Sequence, residues 1–202
     1  MGSTSMEVKN LLDGRIEAKL RNWISSFDNA AKLYAGLSQL FSRLDRQYIL
    51  GRVEDGAIVI GPVHIGSRSV VRTGSIITGP AIIGEDVTIS PAVEIGERTY
   101  IGSRCSVEHG VTIKNSLILN GTSIGAGAYV CDSLIGTRCV IGQLGLIGVE
   151  PKGRNSLPFV IVGKLCRIGA GAILEYGAAV TERTTVDNGA VVGRVPSSSS
   201  AC

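Results

Sequence analysis

Residues 53–113 read VEDGAIVIGPVHIGSRSVVRTGSIITGPAIIGEDVTISPAVEIGERTYIGSRCSVEHGVTI, and an aliphatic residue returns at every sixth position. These positions are Val53, Val59, Ile65, Val71, Ile77, Ile83, Ile89, Ile95, Ile101, Val107 and Ile113. An amphipathic helix repeats after about 3.6 residues and a half-buried strand after about 2, so neither explains this period. A sustained period of six predicts a parallel β-helix, in which three strand-and-bend units of about 18 residues close one triangular coil.

The repeat continues to residue 192 with changes of phase. The later registers are Ile118, Ile124 and Val130; then Ile135, Ile141 and Ile147; then Val162, Ile168, Leu174, Val180, Val186 and Val192. A small or β-branched residue usually stands two positions before each aliphatic one, and we expect both to point inward. No hexad covers residues 148–161, which predicts a loop there. The predicted fold class is therefore all-β, a β-helix of about seven coils over residues 51–196, with a flexible tail at 197–202.

Residues 1–50 differ in kind, because their apolar residues follow helical spacing. Leu12, Ile16 and Leu20 form one such stripe, and Leu33, Leu37 and Leu40 form another after Asp28, a candidate N-cap. The sequence predicts a helical N-terminal extension. It leaves two roles open, which are to cap the first coil or associate subunits, and to bind a partner.

Composition limits the remaining classes of function. The net charge of +3 is too small to indicate binding to nucleic acid, and no apolar run is long enough to predict a membrane span. The N-terminus shows no signal-peptide pattern. Cys105, Cys139 and Cys166 occupy the small inward position and Cys131 lies beside an aliphatic one, which indicates reduced packing residues rather than disulfides. Together these features predict a cytoplasmic protein.

Two segments carry a family resemblance. Ile113-Lys114-Asn115 and the segment YVCDSLIG at 129–136 resemble a pattern in the left-handed parallel β-helix (hexapeptide-repeat) transferase family. The resemblance is closest to the C-terminal β-helix domain of sugar-1-phosphate nucleotidylyltransferases, including glucosamine-1-phosphate acetyltransferase. It implies a left-handed coil, a homotrimer, and acyl transfer from acetyl-CoA or another acyl-CoA to a sugar phosphate or nucleotide sugar. It also implies that Lys114 and Tyr129 contact the sugar phosphate.

The chain departs from that family at the residues that perform the chemistry. The histidine that is the base in the acetylating family falls on Ala126, and an asparagine of its site falls on Val140. General base catalysis typically contributes about 10² to 10⁴ in rate, and alanine supplies none of it. No glycine-rich phosphate loop precedes the repeat, so the sequence also excludes the nucleotidyl-transfer half.

A second candidate base lies at His109. The segment Ser106-Val107-Glu108-His109 resembles, in the same hexad phase, a segment of acetyltransferases that act on nucleotide-linked amino sugars. There the histidine deprotonates the attacking amine, and a carboxylate such as that of Glu108 could orient it. Gly110 stands where that family has aspartate. The alternative is an exposed corner histidine without a catalytic role.

Two further segments are candidates for binding. Lys152 and Arg154 in the predicted loop could meet a phosphate or the coenzyme's pyrophosphate, or could be incidental charges of a solvated loop. The end of the repeat resembles the terminal coils of family acyltransferases, beside which the acyl donor runs. By that analogy Gly169, Ala170 and Gly171 would contact the coenzyme.

The sequence therefore favours an acyltransferase and leaves an alternative open. The alternative is a catalytically silent β-helix that binds a sugar nucleotide, or that assembles or regulates a partner enzyme. A zinc site is not expected, because the family members that hold zinc use three histidines and this chain has two, His64 and His109.

Overall fold

The structure is a computed structural model that describes residues 41–42, 44–149 and 159–193. In this part of the chain, 24 short strands form three parallel sheets of eight strands each, so the chain completes eight coils. The prediction of an all-β parallel β-helix is confirmed. Most of the helical extension predicted for residues 1–50 lies outside the described residues, but Tyr48–Ile49 at its end form a strand, so the β-helix begins earlier than predicted. The loop predicted at 148–161 is shorter, because flanking strands extend to Val149 and begin at Val160. Residues 150–158 and the tail lie outside the described residues. No helix in the described part is long and apolar enough to cross a membrane.

Every third strand belongs to the same sheet. Sheet A contains β1 (Tyr48–Ile49), β4 (Val63–Ile65), β7 (Ala81–Ile83), β10 (Thr99–Ile101), β13 (Leu117–Ile118), β16 (Ser133–Ile135), β19 (Val160–Val162) and β22 (Ala179–Val180). Sheet B contains β2 (Arg52–Val53), β5 (Val70–Val71), β8 (Thr88–Ile89), β11 (Ser106–Val107), β14 (Ser123–Ile124), β17 (Val140–Ile141), β20 (Arg167–Ile168) and β23 (Thr185–Val186). Sheet C contains β3 (Ile58–Ile60), β6 (Ile76–Thr78), β9 (Glu94–Ile95), β12 (Thr112–Lys114), β15 (Tyr129–Cys131), β18 (Leu146–Val149), β21 (Ile173–Glu175) and β24 (Val191–Val192).

The core is the column of inward side chains that the period of six specifies. The aliphatic positions from Ile65 to Leu174 are at most 1% exposed. Small polar residues beside them satisfy their hydrogen bonds across coils, as Ser69 does by donating to the carbonyl of Gly84 at 2.7 Å. Cys105, Cys139 and Cys166 are buried in the core, and Cys139 and Cys166 are free thiols, as predicted. Burial raises the pKa of the Cys139 thiol to about 12, which keeps it protonated and unreactive.

The accessible outer faces are those of sheets B and C. The outward residues of sheet A, including Ile82, Leu117 and Leu134, are buried as well as the inward ones. On sheets B and C the outward residues are mostly exposed or half-buried, in alternation with the core. The candidate site residues within the described part of the chain lie on sheet C or at one of its two edges.

Two edges of sheet C differ in regularity. We call the edge between sheets B and C the BC corner, made by residues 108–110, 125–127, 142–144, 169–171 and 187–189. The edge between sheets C and A is the CA corner, which includes residues 96–98, 115, 132 and 176–177. Every aliphatic step across the BC corner from Ile89 to Leu174 is six residues long. The changes of phase in the sequence all fall at the CA corner.

The CA corner is shortened twice and then interrupted. The steps from Ile113 to Ile118 and from Val130 to Ile135 are five residues long. They turn through Asn115 and Asp132, whose φ angles of 47° and 45° lie in the left-handed region that asparagine and aspartate tolerate better than most residues. In the next coil the predicted loop leaves from the same corner.

Candidate functional site

His109 lies at the BC corner, in the turn that follows β11. Both Glu108 and His109 are exposed, because the preceding Val107 points into the core and the chain turns outward after it. The backbone is fixed by the coils on either side: Glu108 N–H donates to Ile124 O at 3.0 Å, and His109 O accepts from Gly127 N–H at 3.0 Å. Within the described residues, no partner forms a hydrogen bond or ion pair with either side chain. The imidazole is therefore free to meet an external molecule.

Ala126 occupies the same position as His109 one coil further along. The bond from Gly127 N–H to His109 O stacks the two turns, and Leu144 N–H continues the ladder by donating to Ala126 O at 2.9 Å. Adjacent parallel strands lie about 4.8 Å apart, so His109 is displaced by about that distance from the position where the resembling family keeps its base. Ala126 is only 8% exposed.

Gly169, Ala170 and Gly171 lie on the same corner as His109. Gly171 N–H donates to Gln143 O at 2.8 Å, which puts this turn two coils beyond Ala126 and three beyond His109, or roughly 14 Å away. The sequence predicts a coenzyme contact at these three residues and a base at His109, on separate grounds. The structure places all four residues on one edge.

The surface directly beside Gly171 is open. A Cβ added to Gly171 would have no atom within 4 Å, which is also true of Gly110 and Gly189 on the same corner. By contrast, a Cβ on Gly169 would meet the backbone nitrogen of Asn188 at 2.5 Å, so this glycine is required by the next coil rather than by a ligand. The corner therefore fits the acyl-CoA contact inferred from the resemblance at Gly171 but gives no such evidence at Gly169.

Lys114 and Tyr129 share the outer face of sheet C. Tyr129 lies opposite Thr112 on the neighbouring strand, and Lys114 lies opposite Cys131. The Lys114 ammonium forms an ion pair with Glu94 at 2.7 Å. Lys114 is the last residue of β12 and lies towards the CA corner, whereas Tyr129 begins β15 at the end of the sheet that adjoins the BC corner and His109.

A polar network that sequence reasoning missed lies beside these residues at the CA corner. Asp132 accepts hydrogen bonds from the hydroxyl of Tyr176 at 2.7 Å, the thiol of Cys131 at 3.3 Å and the side-chain amide of Asn115. Partial burial, followed by the hydrogen bond to Asp132, raises the pKa of Tyr176. The five-residue steps at Asn115 and Asp132 were the available signal in the sequence.

Tyr129 is in contact with this network. Partial burial raises the pKa of its hydroxyl, as do the neighbouring Cys131 thiol and the negative charges of Asp132 and Glu94. The phenol therefore stays protonated at neutral pH and can donate a hydrogen bond to a ligand.

The predicted loop begins and ends beside the same network. Tyr176 N–H donates to Val149 O at 2.9 Å, and Gly177 N–H donates to Phe159 O at 2.8 Å. Lys152 and Arg154 lie outside the described residues. Their assignment as anion-binding residues stays a prediction.

The histidines are far apart in the fold. His64 is buried on sheet A, where burial lowers the pKa of its imidazole, whereas His109 is exposed at the BC corner. In residues 41–42, 44–149 and 159–193, no group of three or more histidine, cysteine, aspartate or glutamate side chains is arranged to hold a metal ion.

Comparison with known proteins links this chain to β-helical domains of sugar-phosphate enzymes. The family model for the GMPPB C-terminal domain matches residues 77–148, and that for the hexapeptide repeat of succinyl-transferase matches residues 159–194. The bifunctional protein GlmU of Brevibacillus brevis is 27% identical over 179 residues, which cover 78% of this chain and 37% of that protein. A probable mannose-1-phosphate guanyltransferase of Schizosaccharomyces pombe is 26% identical over 125 residues, covering 62% of this chain and 30% of that protein.

The chain thus spans about a third of the length of these two relatives. A solved structure of a perosamine N-acetyltransferase mutant from Caulobacter crescentus, in complex with CoA and GDP-perosamine, covers 79% of this chain and 62% of that chain. Its sequence identity is 17% and its TM-score is 0.39, a likeness too weak to carry an argument. The two family models and the sequence relatives agree with the eight-coil fold. The chain is a hexapeptide-repeat β-helix protein related to the C-terminal domain of GlmU.

Proposed function

We propose that this chain is an acyl-CoA-dependent acyltransferase that acts on a sugar phosphate or nucleotide sugar at the subunit interfaces of a homotrimer. The observation that carries the proposal is the BC corner, where the exposed imidazole of His109 and the open surface at Gly171 share one ladder of turns. The relationship to GlmU supports the general kind of chemistry. Cys131, Cys139 and Cys166 form no disulfide, which favours a reducing compartment, and we propose the cytoplasm.

In this mechanism His109 is the general base. Bound acyl-CoA would supply an activated acyl carbonyl. The imidazole accepts the proton that the acceptor amine or hydroxyl loses as it attacks, and returns a proton to the leaving thiolate. Glu108 is the neighbouring carboxylate that would orient the imidazole when the substrates are bound.

Binding falls to residues away from the base. Tyr129 donates its phenolic hydrogen to the acceptor sugar, and Lys114 contributes a cation to the same face. Lys152 and Arg154 pair with phosphate oxygens of either substrate. Gly169, Ala170 and Gly171 line the path of the coenzyme, and the small side chains permit a close approach of the pantetheine arm.

A homotrimer is proposed from the resemblance, which implies one. His109 at the BC corner and Lys114 near the CA corner lie towards different edges of sheet C, and a neighbouring subunit would bring such groups together. If the BC corner of one subunit faces sheet C of the next, His109 meets the acceptor bound at the partner's sheet. Closed rings with such head-to-tail contacts form one identical site per interface.

Release of free thiol from acetyl-CoA, measured with a panel of amino sugars, sugar phosphates and nucleotide sugars, tests the proposal. We expect turnover with at least one acceptor, and a loss of about 10² to 10⁴ in kcat/KM for His109→Gln. Arg138→Gln, an exposed substitution at the edge between sheets A and B, should retain wild-type activity. No thiol release with any acceptor would contradict the proposal, as would full activity of His109→Gln.

A second function is favoured by Ala126. A chain that keeps the fold but has alanine at the family's base position fits a silent binding module or an assembly partner of a separate enzyme. Calorimetry separates the two functions. Binding of a nucleotide sugar without any thiol release would favour this one.

A further inference from the structure

The Lys114 ammonium already has a carboxylate partner on the proposed acceptor surface. Glu94 lies one coil below, opposite Thr112, and its Oε1 is 2.7 Å from Lys114 Nζ. Both side chains are about half exposed, at 43% for lysine and 50% for glutamate, so solvent screens the pair and an incoming anion can compete for the ammonium. Such an anion would still have the displaced carboxylate beside it.

The wider surroundings add negative charge. Asp132 follows Cys131, which lies opposite Lys114 one coil further along. Partial burial raises the pKa of Tyr129 most, and the charges of Asp132 and Glu94 raise it further; Asp132 also raises the pKa of Tyr176. Two carboxylates, Glu94 and Asp132, therefore act on the surface formed by Lys114 and the Tyr129 hydroxyl.

We infer that Glu94 is a specificity-determining residue, which selects acceptors that bring no phosphate monoester to the surface formed by Lys114 and Tyr129. The inference rests on the proposed function, because it takes this surface as the acceptor site. A monoester carries about two negative charges at neutral pH and would meet a surface with no net positive charge. A sugar that presents hydroxyl or ammonium groups meets hydrogen-bond partners and carboxylates instead. Within the proposed acceptor classes, Glu94 thus favours a nucleotide-linked sugar, whose phosphates are diesters and extend away from the ring.

Calorimetric titration of the intact chain with three probes tests the inference. The probes are glucosamine 1-phosphate, a uridine-diphosphate amino sugar and free glucosamine, each against wild type and Glu94→Gln. We expect the variant to bind glucosamine 1-phosphate about tenfold more tightly than wild type, because one charge repulsion is removed. Its affinity for the other two probes should be unchanged or weaker.

Matched variants separate the local effect from general charge. Glu97→Gln removes an exposed carboxylate of the same coil that does not contact Lys114, and should change the affinity for the monoester by less than about twofold. Adding Lys114→Gln to Glu94→Gln should abolish the gain. Equal affinity of wild type and Glu94→Gln for the monoester overturns the inference and leaves the acyltransferase proposal standing. If neither protein binds any probe, both the inference and the placement of the acceptor fail, and thiol release then decides the proposed function separately.

Discussion

The two edges of sheet C are built from the same kind of coil and differ in what they hold. At the BC corner every step from Ile89 to Leu174 is six residues, and the side chains of Glu108 and His109 are exposed and, within the described chain, without partners. At the CA corner the steps shorten to five and then open into the loop, and the side chains of Asp132 and Tyr176 bond to each other. One edge presents exposed side chains to solvent, and the other holds side chains that are hydrogen-bonded to one another.

The contrast separates two kinds of irregularity. A residue that leaves the period intact, such as His109, changes the chemistry of an edge without changing its backbone. A change of step length alters the backbone itself, and the polar residues that follow are needed to satisfy it. Departures from the period therefore indicate where the scaffold is adapted, whereas chemistry on the regular edge has to be found from the residue type.

The largest difference is expected between two glycines that both have positive φ. A Cβ on Gly148, which lies in β18 beside the CA corner and has a φ of +78°, would overlap the carbonyl oxygen of Cys131, whereas a Cβ on Gly171 meets nothing within 4 Å. Gly148→Ala should lower the free energy of unfolding by about 4 kcal/mol or prevent folding, and Gly171→Ala should cost about 1 kcal/mol for the left-handed backbone alone. Denaturant titration measures both. Similar costs at the two positions would remove the structural distinction between the corners.

A smaller difference is expected for the polar side chains of the two corners. Asp132→Ala leaves the Tyr176 hydroxyl and the Asn115 amide without their acceptor and puts alanine at a φ of 45°, so we expect a loss of about 2 to 3 kcal/mol. Asn188→Ala at the BC corner removes one exposed bond, from the Ala170 N–H, and should cost about 1 kcal/mol or less. Chemical denaturation with unchanged m-values would establish both numbers. A cost for Asn188→Ala that matches Asp132→Ala would show that the network adds nothing.

The smallest effect is a dependence on alkaline pH. The phenol of Tyr176 ionises at about pH 10 in the unfolded chain, but burial and Asp132 keep it protonated to higher pH in the folded one. Above about pH 10 the unfolded state therefore binds fewer protons, and the free energy of unfolding falls as pH rises. Tyr176→Phe should make this fall shallower, while Asn188→Ala should leave its slope unchanged. If the free energy of unfolding of wild type and of Tyr176→Phe fell equally steeply with pH, Tyr176 would not be the group responsible.

The fold was accessible from the sequence because each inward position is specified by its own residue. Val107 and Ile113 fix the phase of the coil, and once they point inward, His109 and Lys114 have to lie outside. The family resemblance singled out Lys114 and Tyr129, and the structure puts both on the outer face of sheet C. The structure has eight coils, one more than the period predicted.

The contacts of the site were less accessible, because they depend on where coils are shortened or extended. Tyr176 and Asp132 are 44 residues apart, and they meet only because the inserted loop and a shortened corner bring their coils into register. An 18-residue coil puts Glu94 directly below Thr112. Glu94 therefore contacts Lys114 diagonally across the two strands, and the period of six does not predict this contact. That His109 and Gly171 share a corner is seen only from the hydrogen bonds that connect all the turns between them.

The most direct test of the interfacial site is to mix two inactive variants. One carries His109→Gln and the other carries Lys114→Gln with Tyr129→Ala, and the two are unfolded and refolded together before thiol release is measured. If His109 and the acceptor face come from different subunits, about a quarter of the interfaces in randomly mixed trimers recover both intact halves, and activity should rise well above that of either variant alone. Activity no higher than the average of the two variants would contradict a site shared between subunits.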